Sequence, residues 1–365
     1  MDFTLSQEQD DLGALTRQIL DDQLTVQRRR EMADAGLDAA LWSALATAGV
    51  LSAALPESLG GAGLGLLEQC TVLAEIGRAV APLPYLASIV LGASALARFG
   101  TVAQQEQWVA AAGRGEVILT AALAEEDAED PANPATTARE SASGWLLNGA
   151  KTTVPAGTQA ALLLVPAMTA HGTAVFLVTP DDPGVTVISQ QVTGGEGAAI
   201  LELAGAAVPP SRLLGDSRVA HWLAGRATVG LCALQLGVVE RALELTATYA
   251  QHRQQFGKPI GSFQAVAQRL ADGYIDVEAI RLTLWQAAWR LANDLPSQTE
   301  LATAKFWAAE AGHRVAHTAV HVHGGVGIDV DADVHRYFAA AKHNEFALGG
   351  ATAQLRRIGA ALAQA

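Results

Sequence analysis

The sequence YAQHRQQFGKPIGSFQAVAQRLAD, residues 249–272, is the stretch on which the fold assignment rests. An apolar segment of helical periodicity ends just before Arg253, and another begins near Gln264. Between them, Arg253 and Phe256 precede a Gly-Lys-Pro turn at 257–259. An arginine beside a turn suits an anion, and a solvated arginine at a helix end is the plain alternative. The stretch therefore predicts two helices joined by a turn that presents Arg253.

Secondary-structure signals divide the whole chain into three parts. Helical periodicity dominates residues 1–119, where Ser6 can cap the first helix and a glycine-rich loop occupies 55–65. Short β-type runs separated by Gly, Pro, Asn and Asp fill residues 120–217, and long helical segments return over 218–365. The prediction is an α+β fold with an N-terminal helical domain (1–119), a middle β-barrel-like domain of short strands (120–217) and a C-terminal four-helix bundle (218–365).

Composition and charge narrow the class of protein. Of the 365 residues, 50% are hydrophobic and 17% are charged, which allows a sizeable buried core. The net charge of −13 opposes non-specific binding to nucleic acid or to anionic lipid. Cys70 and Cys232 lie in apolar segments without CxxC spacing or a neighbouring histidine. We expect them to be reduced core thiols rather than a disulfide or a metal site.

Two segments bear on where the protein resides. Residues 1–20 are acidic early and contain no apolar h-region, so we do not expect a signal peptide. Residues 79–97 carry no charge and are almost long enough to span a bilayer, but Pro82 and Pro84 lie near their start. A buried helix that begins after Pro84 is the favoured interpretation. The chain is therefore expected to be cytoplasmic and to contact no membrane.

Five short motifs occur in a characteristic order along the chain. They are MDFTLSQEQ at 1–9, LPESLGGAGLG at 55–65, GWLLNGAKT at 144–152, the stretch at 249–272, and HVHGGVGID at 321–329. With these motifs in this order and spacing, the sequence resembles the acyl-CoA dehydrogenase family essentially from end to end. The resemblance implies FAD as the cofactor and an acyl-CoA as the substrate. In that family a carboxylate removes the α-proton, a hydride leaves Cβ for the flavin, and a 2-enoyl-CoA forms.

The same resemblance assigns cofactor contacts to residues in the last two motifs. In the family these positions reach across a dimer interface to the diphosphate and adenosine side of an FAD that the neighbouring subunit binds. An arginine fork suits the diphosphate because two N–H donors can meet two oxygens. Glycine allows close approach of the backbone, and His321 stands where the family usually has glutamine. The residues are Arg253, Gln255, Phe256, His321, Gly324 and Gly325.

The chain departs from the family where catalysis takes place. The positions that match the family's catalytic carboxylate hold Leu348 and Ala227, neither of which can remove a proton. In the matching flavin-ring motif, KTTVPA, Thr153 replaces a tryptophan that shields the ring. Pro155 replaces a donor to the ring edge and has no N–H. The Gly-Ser pair expected within 124–134 is also missing. The sequence therefore contains no residue that we expect to be catalytic.

In the family, the motifs that this chain lacks contact a subunit's own flavin. The residues that it retains contact the flavin of a partner subunit, and we call them the clamp: Arg253, Gln255, Phe256, His321, Gly324 and Gly325. The sequence therefore predicts a non-catalytic subunit that completes the FAD site of a homologous acyl-CoA dehydrogenase subunit in an α2β2 heterotetramer. The partner is expected to bind most of the acyl-CoA, with steroid-CoA as one candidate, and electron-transfer flavoprotein is an expected acceptor. Two alternatives stay open: an autonomous dehydrogenase that uses Glu345, one turn before Leu348, and a redox-dead homologue that keeps only the fold.

Several acidic residues have a plain interpretation as solvated charges. Glu345 can be a solvated or salt-bridged glutamate on a helix. An acidic run in the middle region is expected to be a solvated loop, because such charges beside a flavin or CoA phosphate would repel it. The run comprises Glu125, Glu126, Asp127, Glu129 and Asp130.

Overall fold

The computed structural model describes residues 4–25, 27–28, 37–126, 128, 130–194 and 197–363. The first three residues of the N-terminal motif, and Asp127 and Glu129 of the acidic run, lie outside this part of the chain. The chain divides into two compact units. Unit 1 comprises residues 1–20, 70–81 and 228–365, and unit 2 comprises residues 21–69 and 82–227. The sheet lies in unit 2 and long helices make up most of unit 1, so the α+β class is confirmed.

Helices precede the sheet, as the periodicity predicts. They are α1 (Gln7–Gln23), α2 (Ala39–Thr47), α3 (Leu66–Ala79), α4 (Ser94–Phe99) and α5 (Val102–Gly113), with a 3-10 turn at Glu57–Leu59. Ser6 caps α1, since the Gln9 N–H donates to Ser6 Oγ and the Ser6 N–H donates to Gln9 Oε1. Thr101 and Gln104 cap α5 in the same reciprocal way. These bonds satisfy N–H groups that the first turn of a helix leaves without partners.

The charge-free segment 79–97 is largely buried in the protein. Its helical part follows Pro84 as a π-helical stretch, Leu86–Ala93, that continues into α4. Gly92 lies so close to Leu119 that an added Cβ atom would approach the Leu119 side chain to 2.4 Å. The stretch is therefore a core element packed against the first strand of the sheet, and the prediction of a buried helix after Pro84 is confirmed.

Eight strands of the described residues form one sheet. They are β1 (Ile118–Ala121), β2 (Thr137–Ser141), β3 (Gly144–Pro155), β4 (Ala160–Thr169), β5 (Gly172–Val178), β6 (Val185–Gln191), β7 (Gly197–Val208) and β8 (Leu213–Asp216). The order is β6-β7-β3-β2-β4-β5-β8, and β1 pairs in parallel with β4. Alternate side chains such as Leu163, Val165 and Leu201 point into one apolar core. The longest strands are β3 and β7, which have 12 residues each and pair with one another, whereas β4 has 10 residues and the others have 4–7.

Helices follow the sheet up to the end of the described residues. They are α6 (Ser217–His252), α7 (Gln264–Ala292), α8 (Gln298–His323), α9 (Asp333–Phe346) and α10 (Ala351–Leu362), with a 3-10 turn at Gly324–Ile328. Helix α8 packs against α7, α9 and α10. Helices α3 and α6 cross closely in unit 1, because a Cβ on Gly77 would lie 2.1 Å from Leu234 O. The predicted C-terminal helical domain is confirmed, and a loop at 347–350 divides its last part into α9 and α10.

Helix α6 is the one described helix that is long and apolar enough to cross a membrane. Its most apolar segment is 83% buried within the protein, as is usual for a core helix. The division between the two units falls inside α6, after Ala227. The first strand begins at Ile118 and α6 begins at Ser217. The domain bounds 1–119, 120–217 and 218–365 stay a prediction.

Candidate functional site

The turn between α6 and α7 is a tight β-hairpin. Its strands, β9 (Gln254–Gln255) and β10 (Lys258–Pro259), pair antiparallel. The two loop residues, Phe256 and Gly257, have φ values of +53° and +77°. Positive φ at both central positions is the mark of a type I′ turn, whose twist matches that of the paired strands. Glycine adopts this conformation readily but a bulky residue rarely does, so the hairpin holds Phe256 in a strained backbone conformation.

Phe256 stands at the tip of this hairpin with its ring in solvent. The residue is 93% exposed. The ring of Phe263 lies edge-on to the Phe256 ring, with 6.2 Å between centroids, and Lys258 Nζ lies 4.5 Å from the centre of the Phe263 ring. These contacts brace the hairpin but cover little of Phe256. A strained, uncovered aromatic side chain is typical of a residue that fills a pocket on another surface.

Arg253 is fixed at its backbone and exposed at its side chain. Its N–H donates to Tyr249 O at 2.8 Å and extends the last turn of α6. Its carbonyl accepts a hydrogen bond from Ile260 N at 2.8 Å. This bond joins the segment that enters the hairpin to the segment that leaves it. Gln255 is exposed on the adjacent strand. The hairpin therefore presents Arg253, Gln255 and Phe256 to solvent on one supported base, and their contact with a cofactor stays a prediction.

The second predicted motif, at the end of α8, lies beside the first. The rings of His323 and Tyr249 stack with 4.3 Å between centroids, so the ends of α8 and α6 are neighbours. His321 is exposed on the last turn of α8. Gly324 has φ +63° and ψ −136°, a combination that glycine adopts without strain. Apart from its chain neighbours and the backbone of its own helical turn, no atom of the described residues lies within 4 Å of a Cβ placed on Gly325, so internal packing does not require a glycine there. The open space suits the approach of a bound nucleotide.

The positions expected for a catalytic base hold no carboxylate. Leu348 follows the end of α9 with φ +55°, and its carbonyl accepts a hydrogen bond from Gln354 Nε2 at 3.2 Å. Gln354 also donates to Gly349 O at 3.0 Å, so one side chain of α10 binds two residues of the loop. Ala227 is buried within α6. The loop therefore has a defined shape, but neither position offers a group that can remove a proton.

Glu345 lies on α9, and its carboxylate is already engaged. Lys342 Nζ donates to Oε2 at 2.6 Å, and His313 Nδ1 lies 3.2 Å from both carboxylate oxygens. Helix α9 ends at Phe346, so Glu345 and Leu348 do not share a helix. The geometry matches the plain interpretation of Glu345, a salt-bridged glutamate on a helix.

The strand that matches the flavin-ring motif uses its polar groups internally. The Thr153 N–H donates to Gln190 Oε1 on β6 at 2.8 Å, at a point where the pairing of β3 with β7 shifts register. Pro155 has no N–H, and its carbonyl accepts a hydrogen bond from Thr120 Oγ1 at 2.6 Å. The Thr153 N–H and the Pro155 carbonyl therefore both have hydrogen-bond partners within the chain itself.

Within the acidic run, Glu125 is buried and paired rather than solvated. This side chain is 4% exposed and accepts a hydrogen bond at 2.5 Å from Lys151 Nζ, whose side chain is fully buried. Burial alone would raise the pKa of Glu125, but hydrogen bonds from Lys151 and Thr136 hold that pKa below its ordinary value. The expectation of a solvated loop was wrong for Glu125, because the buried lysine on β3 needs a counter-charge. Glu126 and Asp130 are exposed, as expected.

Unit 1 contains a buried polar cluster that sequence reasoning missed. Lys305 is fully buried on α8, and its Nζ donates to Asn344 O at 2.9 Å and to Glu345 O at 3.0 Å in the last turn of α9. Burial lowers the pKa of Lys305 to about 8 and raises the pKa of the buried Cys232 thiol to about 12. Gln235 accepts a hydrogen bond from the Asn344 side chain. The sequence around Lys305 is alanine-rich and gives no sign that this lysine points inward.

Comparison with known protein families decides the family. Three domain families match in sequence order: the N-terminal domain of acyl-CoA dehydrogenase over residues 6–116, its middle domain over 120–207 and its C-terminal domain over 217–363. The chain belongs to the acyl-CoA dehydrogenase family. The predicted family and its three-part fold are thereby confirmed, and with them the class of flavin-dependent oxidoreductases.

Some acyl-CoA dehydrogenases resemble the chain over its full length. Acyl-CoA dehydrogenase FadE27 of Mycobacterium tuberculosis is 53% identical over 100% of this chain and 99% of the relative. The crystal structure of the ChsE4-ChsE5 complex from Mycobacterium tuberculosis contains a chain that is 53% identical, with a TM-score of 0.95 and 100% of both chains covered. A variant of the Tcur3481-Tcur3483 steroid ACAD is 42% identical, with a TM-score of 0.93 and 99% of both chains covered. Each of these two structures is named for a pair of proteins.

Proposed function

We propose that this member of the acyl-CoA dehydrogenase family is the non-catalytic subunit of a heteromeric enzyme and completes the FAD site of a homologous partner. The observation that carries the proposal is that this chain retains the family's residues for a partner's cofactor and lacks the family's catalytic residues. Arg253 and Phe256 are exposed on a braced hairpin, whereas Leu348 and Ala227 replace the carboxylate. The ChsE4-ChsE5 complex and the Tcur3481-Tcur3483 pair support an assembly of two different subunits, which we propose to be α2β2.

The residues of the clamp fit the nucleotide half of FAD. Arg253 donates N–H groups to the diphosphate, Phe256 covers an apolar part of the nucleotide, and Gln255 and His321 supply further polar contacts. Gly325 leaves open space for the backbone to approach the adenosine side, as does its neighbour Gly324. FAD, when bound, accepts the hydride that leaves Cβ of the substrate. The partner supplies the carboxylate and the donors to the flavin ring.

The reaction we propose for the complex is oxidation of the Cα–Cβ bond of an acyl-CoA to the 2-enoyl-CoA. A steroid-CoA is the proposed substrate because the Tcur3481-Tcur3483 relative is named a steroid ACAD. The partner binds most of this substrate, since the altered ring strand of this chain satisfies its own polar groups around Thr153 and Pro155. Electron-transfer flavoprotein is the proposed acceptor, and the cytoplasm is the proposed location.

Changing Arg253 to alanine is expected to weaken FAD retention in the purified heteromeric complex. A hydrogen bond to a charged group contributes about 1.5–3 kcal/mol, so FAD affinity should fall by roughly tenfold to a hundredfold. Flavin absorbance per subunit pair after gel filtration measures the effect, with one FAD per pair expected for the unchanged complex. Arg139→Ala removes an exposed arginine of β2 and should leave the flavin content unchanged.

Two results would contradict the proposed function. If this chain alone purifies as an active homotetramer with one FAD per chain, it is an autonomous dehydrogenase, and Glu345→Gln should then abolish turnover. If no purified complex of the chain with a homologous subunit contains FAD, the redox-dead homologue is the correct interpretation.

Changing Phe256 to asparagine is expected to raise the stability of the chain but to weaken cofactor binding in the complex. Asparagine is favoured at the first central position of a type I′ turn, so the free energy of unfolding should rise by about 1 kcal/mol. Loss of the ring should lower FAD retention in the complex. Urea unfolding of the chain and the flavin count of the complex measure the two effects. Phe256→Ala is the matched variant, since alanine loses the ring but keeps most of the backbone strain. Unchanged FAD retention in both variants would exclude the ring from the clamp.

A further inference from the structure

A stacked pair of rings joins the elements that carry the two halves of the clamp. Tyr249 lies in the last turn of α6, and His323 is the last residue of α8. Their ring centroids are 4.3 Å apart, with 25° between the ring planes. The hairpin with Arg253 follows Tyr249 along the chain, and Gly324 follows His323. The stack therefore lies at the base of both halves of the clamp.

Tyr249 supports the first half of the clamp through its backbone. Its carbonyl accepts the Arg253 N–H at 2.8 Å. The segment that leaves the hairpin lies against the next residue of α6, because a Cβ placed on Gly261 would be 3.1 Å from Ala250 O. Both ends of the hairpin therefore rest on residues 249–250. A displacement of Tyr249 would be transmitted to Arg253.

His323 supports the second half in a similar way. Its Nδ1–H donates to Ala319 O at 2.8 Å, which fixes the imidazole on the last turn of α8. Beyond Gly324 the chain folds back on this turn, since a Cβ placed on Gly327 would lie 3.2 Å from His323 Cβ. The segment with Gly324 and Gly325 is therefore held at His323 on both sides.

We propose that Tyr249 and His323 are positioning residues that fix the two halves of the clamp relative to one another. The inference rests on the proposed function, since it concerns FAD affinity in the heteromeric complex. One FAD molecule contacts Arg253 at its diphosphate and Gly325 at its adenosine side, so the two contacts need a set separation. A separation that is fixed before binding lowers the entropic cost of binding. Neither ring of the stack needs to touch the cofactor.

The chemistry and the place of the pair suit this role. Both halves of the clamp follow the C-terminal end of a helix, and helix ends fray. Aromatic rings favour an offset stack with a defined separation, whereas aliphatic packing is non-directional. Both Tyr249 and His323 are half-buried, so the pair is not part of the apolar core. A stack at this place sets the geometry of two helix ends.

Changing His323 to leucine tests the positioning role in the purified heteromeric complex. Loss of the aromatic pair should lower FAD affinity by about threefold to tenfold. Flavin absorbance per subunit pair, after gel filtration at decreasing FAD concentrations, measures the effect. His323→Phe keeps a ring that can stack on Tyr249 and should restore most of the affinity. His317→Leu removes a different ring contact of α8 and should leave the affinity unchanged.

A double variant shows whether the two rings act as one unit. Tyr249→Leu and His323→Leu should each weaken FAD binding by a similar factor. The variant with both changes should lose no more affinity than either single variant, because each change alone already removes the stack. Losses that multiply in the double variant would overturn the proposal, since the two residues would then act independently.

Hydrogen exchange in the full chain gives a second readout that does not depend on FAD. His323→Leu should speed backbone exchange in residues 253–260, which belong to a different element, and His317→Leu should not. Unchanged exchange at the hairpin would overturn the proposal. If Arg253→Ala lowers FAD affinity but His323→Leu does not, this inference alone fails. A complex that never contains FAD would overturn the proposed function, and this inference with it.

Discussion

Replacing Lys151 with methionine is expected to lower the free energy of unfolding by about 3–5 kcal/mol, because it strands a buried charge. Lys151 Nζ lies 2.5 Å from Glu125 Oε1, and the two side chains are 0% and 4% exposed. Without the ammonium group, the Glu125 carboxylate keeps hydrogen bonds from Thr136 but loses its counter-charge. It must then stay ionised in a low-dielectric interior or take up a proton, and both cost free energy. Urea unfolding of the purified protein measures the loss.

A double variant separates the buried charge from the loss of packing. In Glu125→Gln/Lys151→Met no charge is buried, and the glutamine carbonyl can still accept from Thr136, so most of the lost stability should return. Arg114→Met is the matched surface control, since Arg114 and Glu116 form an ion pair that is more than half exposed. Its cost should stay below about 1 kcal/mol. A double variant as unstable as Lys151→Met, or a Lys151→Met cost no larger than that of the control, would refute this account.

Features set by local chemistry could be predicted from the sequence. The Ser6 cap depends on side chains three residues apart. The start of the buried helix after Pro84 depends on the pyrrolidine ring of that proline. The absence of a base at Leu348 and Ala227 also needed no geometry, since neither side chain can take a proton in any fold. These features follow from covalent structure and from the first neighbours along the chain.

Features set by tertiary contacts could not be predicted in the same way. Glu125 and Lys151 are 26 residues apart, and their pairing exists because β3 passes beneath the loop that carries Glu125. The Thr153 N–H donates to Gln190 of β6, which lies 37 residues away along the chain. The apolar periodicity of α7 predicts a helix, but it does not separate the side on which Leu284 is buried from the side on which Ile275 and Leu282 are exposed. In each case the decisive neighbour comes from another part of the chain.

At Phe256, one feature could be predicted from the sequence and another is visible only in the structure. The sequence places an aromatic residue before glycine in a turn, and the resemblance of this motif to the family implies a cofactor contact there. Only the backbone shows that the residue occupies a left-handed conformation, at φ +53°, that asparagine or glycine would adopt more easily. The strained backbone and the exposed ring do not stabilise the isolated chain. Contact with a cofactor or a partner therefore explains this turn better than internal stability does.

Lys305 is expected to make the free energy of unfolding rise with pH in the alkaline range. Burial lowers its pKa from 10.5 to about 8, and the ammonium group is held by two backbone carbonyls, those of Asn344 and Glu345, rather than by a carboxylate. Between pH 8 and 10.5 the unfolded chain still binds this proton whereas the folded chain has released it. The free energy of unfolding must therefore increase with pH across that interval. The difference between the two pKa values corresponds to a gain of about 3 kcal/mol.

Comparing the unchanged protein with Lys305→Met isolates this contribution from other alkaline effects. Urea unfolding at intervals from pH 8 to 10.5 should show the unchanged protein gaining up to about 3 kcal/mol relative to the variant, whatever the absolute stabilities. Lys258→Met, at an exposed position on the hairpin, should keep the pH profile of the unchanged protein. If Lys305→Met does not fold, Lys305→Arg serves instead, because a guanidinium group does not titrate in this range. Parallel profiles for the unchanged protein and the Lys305 variant would show that the buried lysine keeps its ordinary pKa, and that its two carbonyl partners compensate fully for burial.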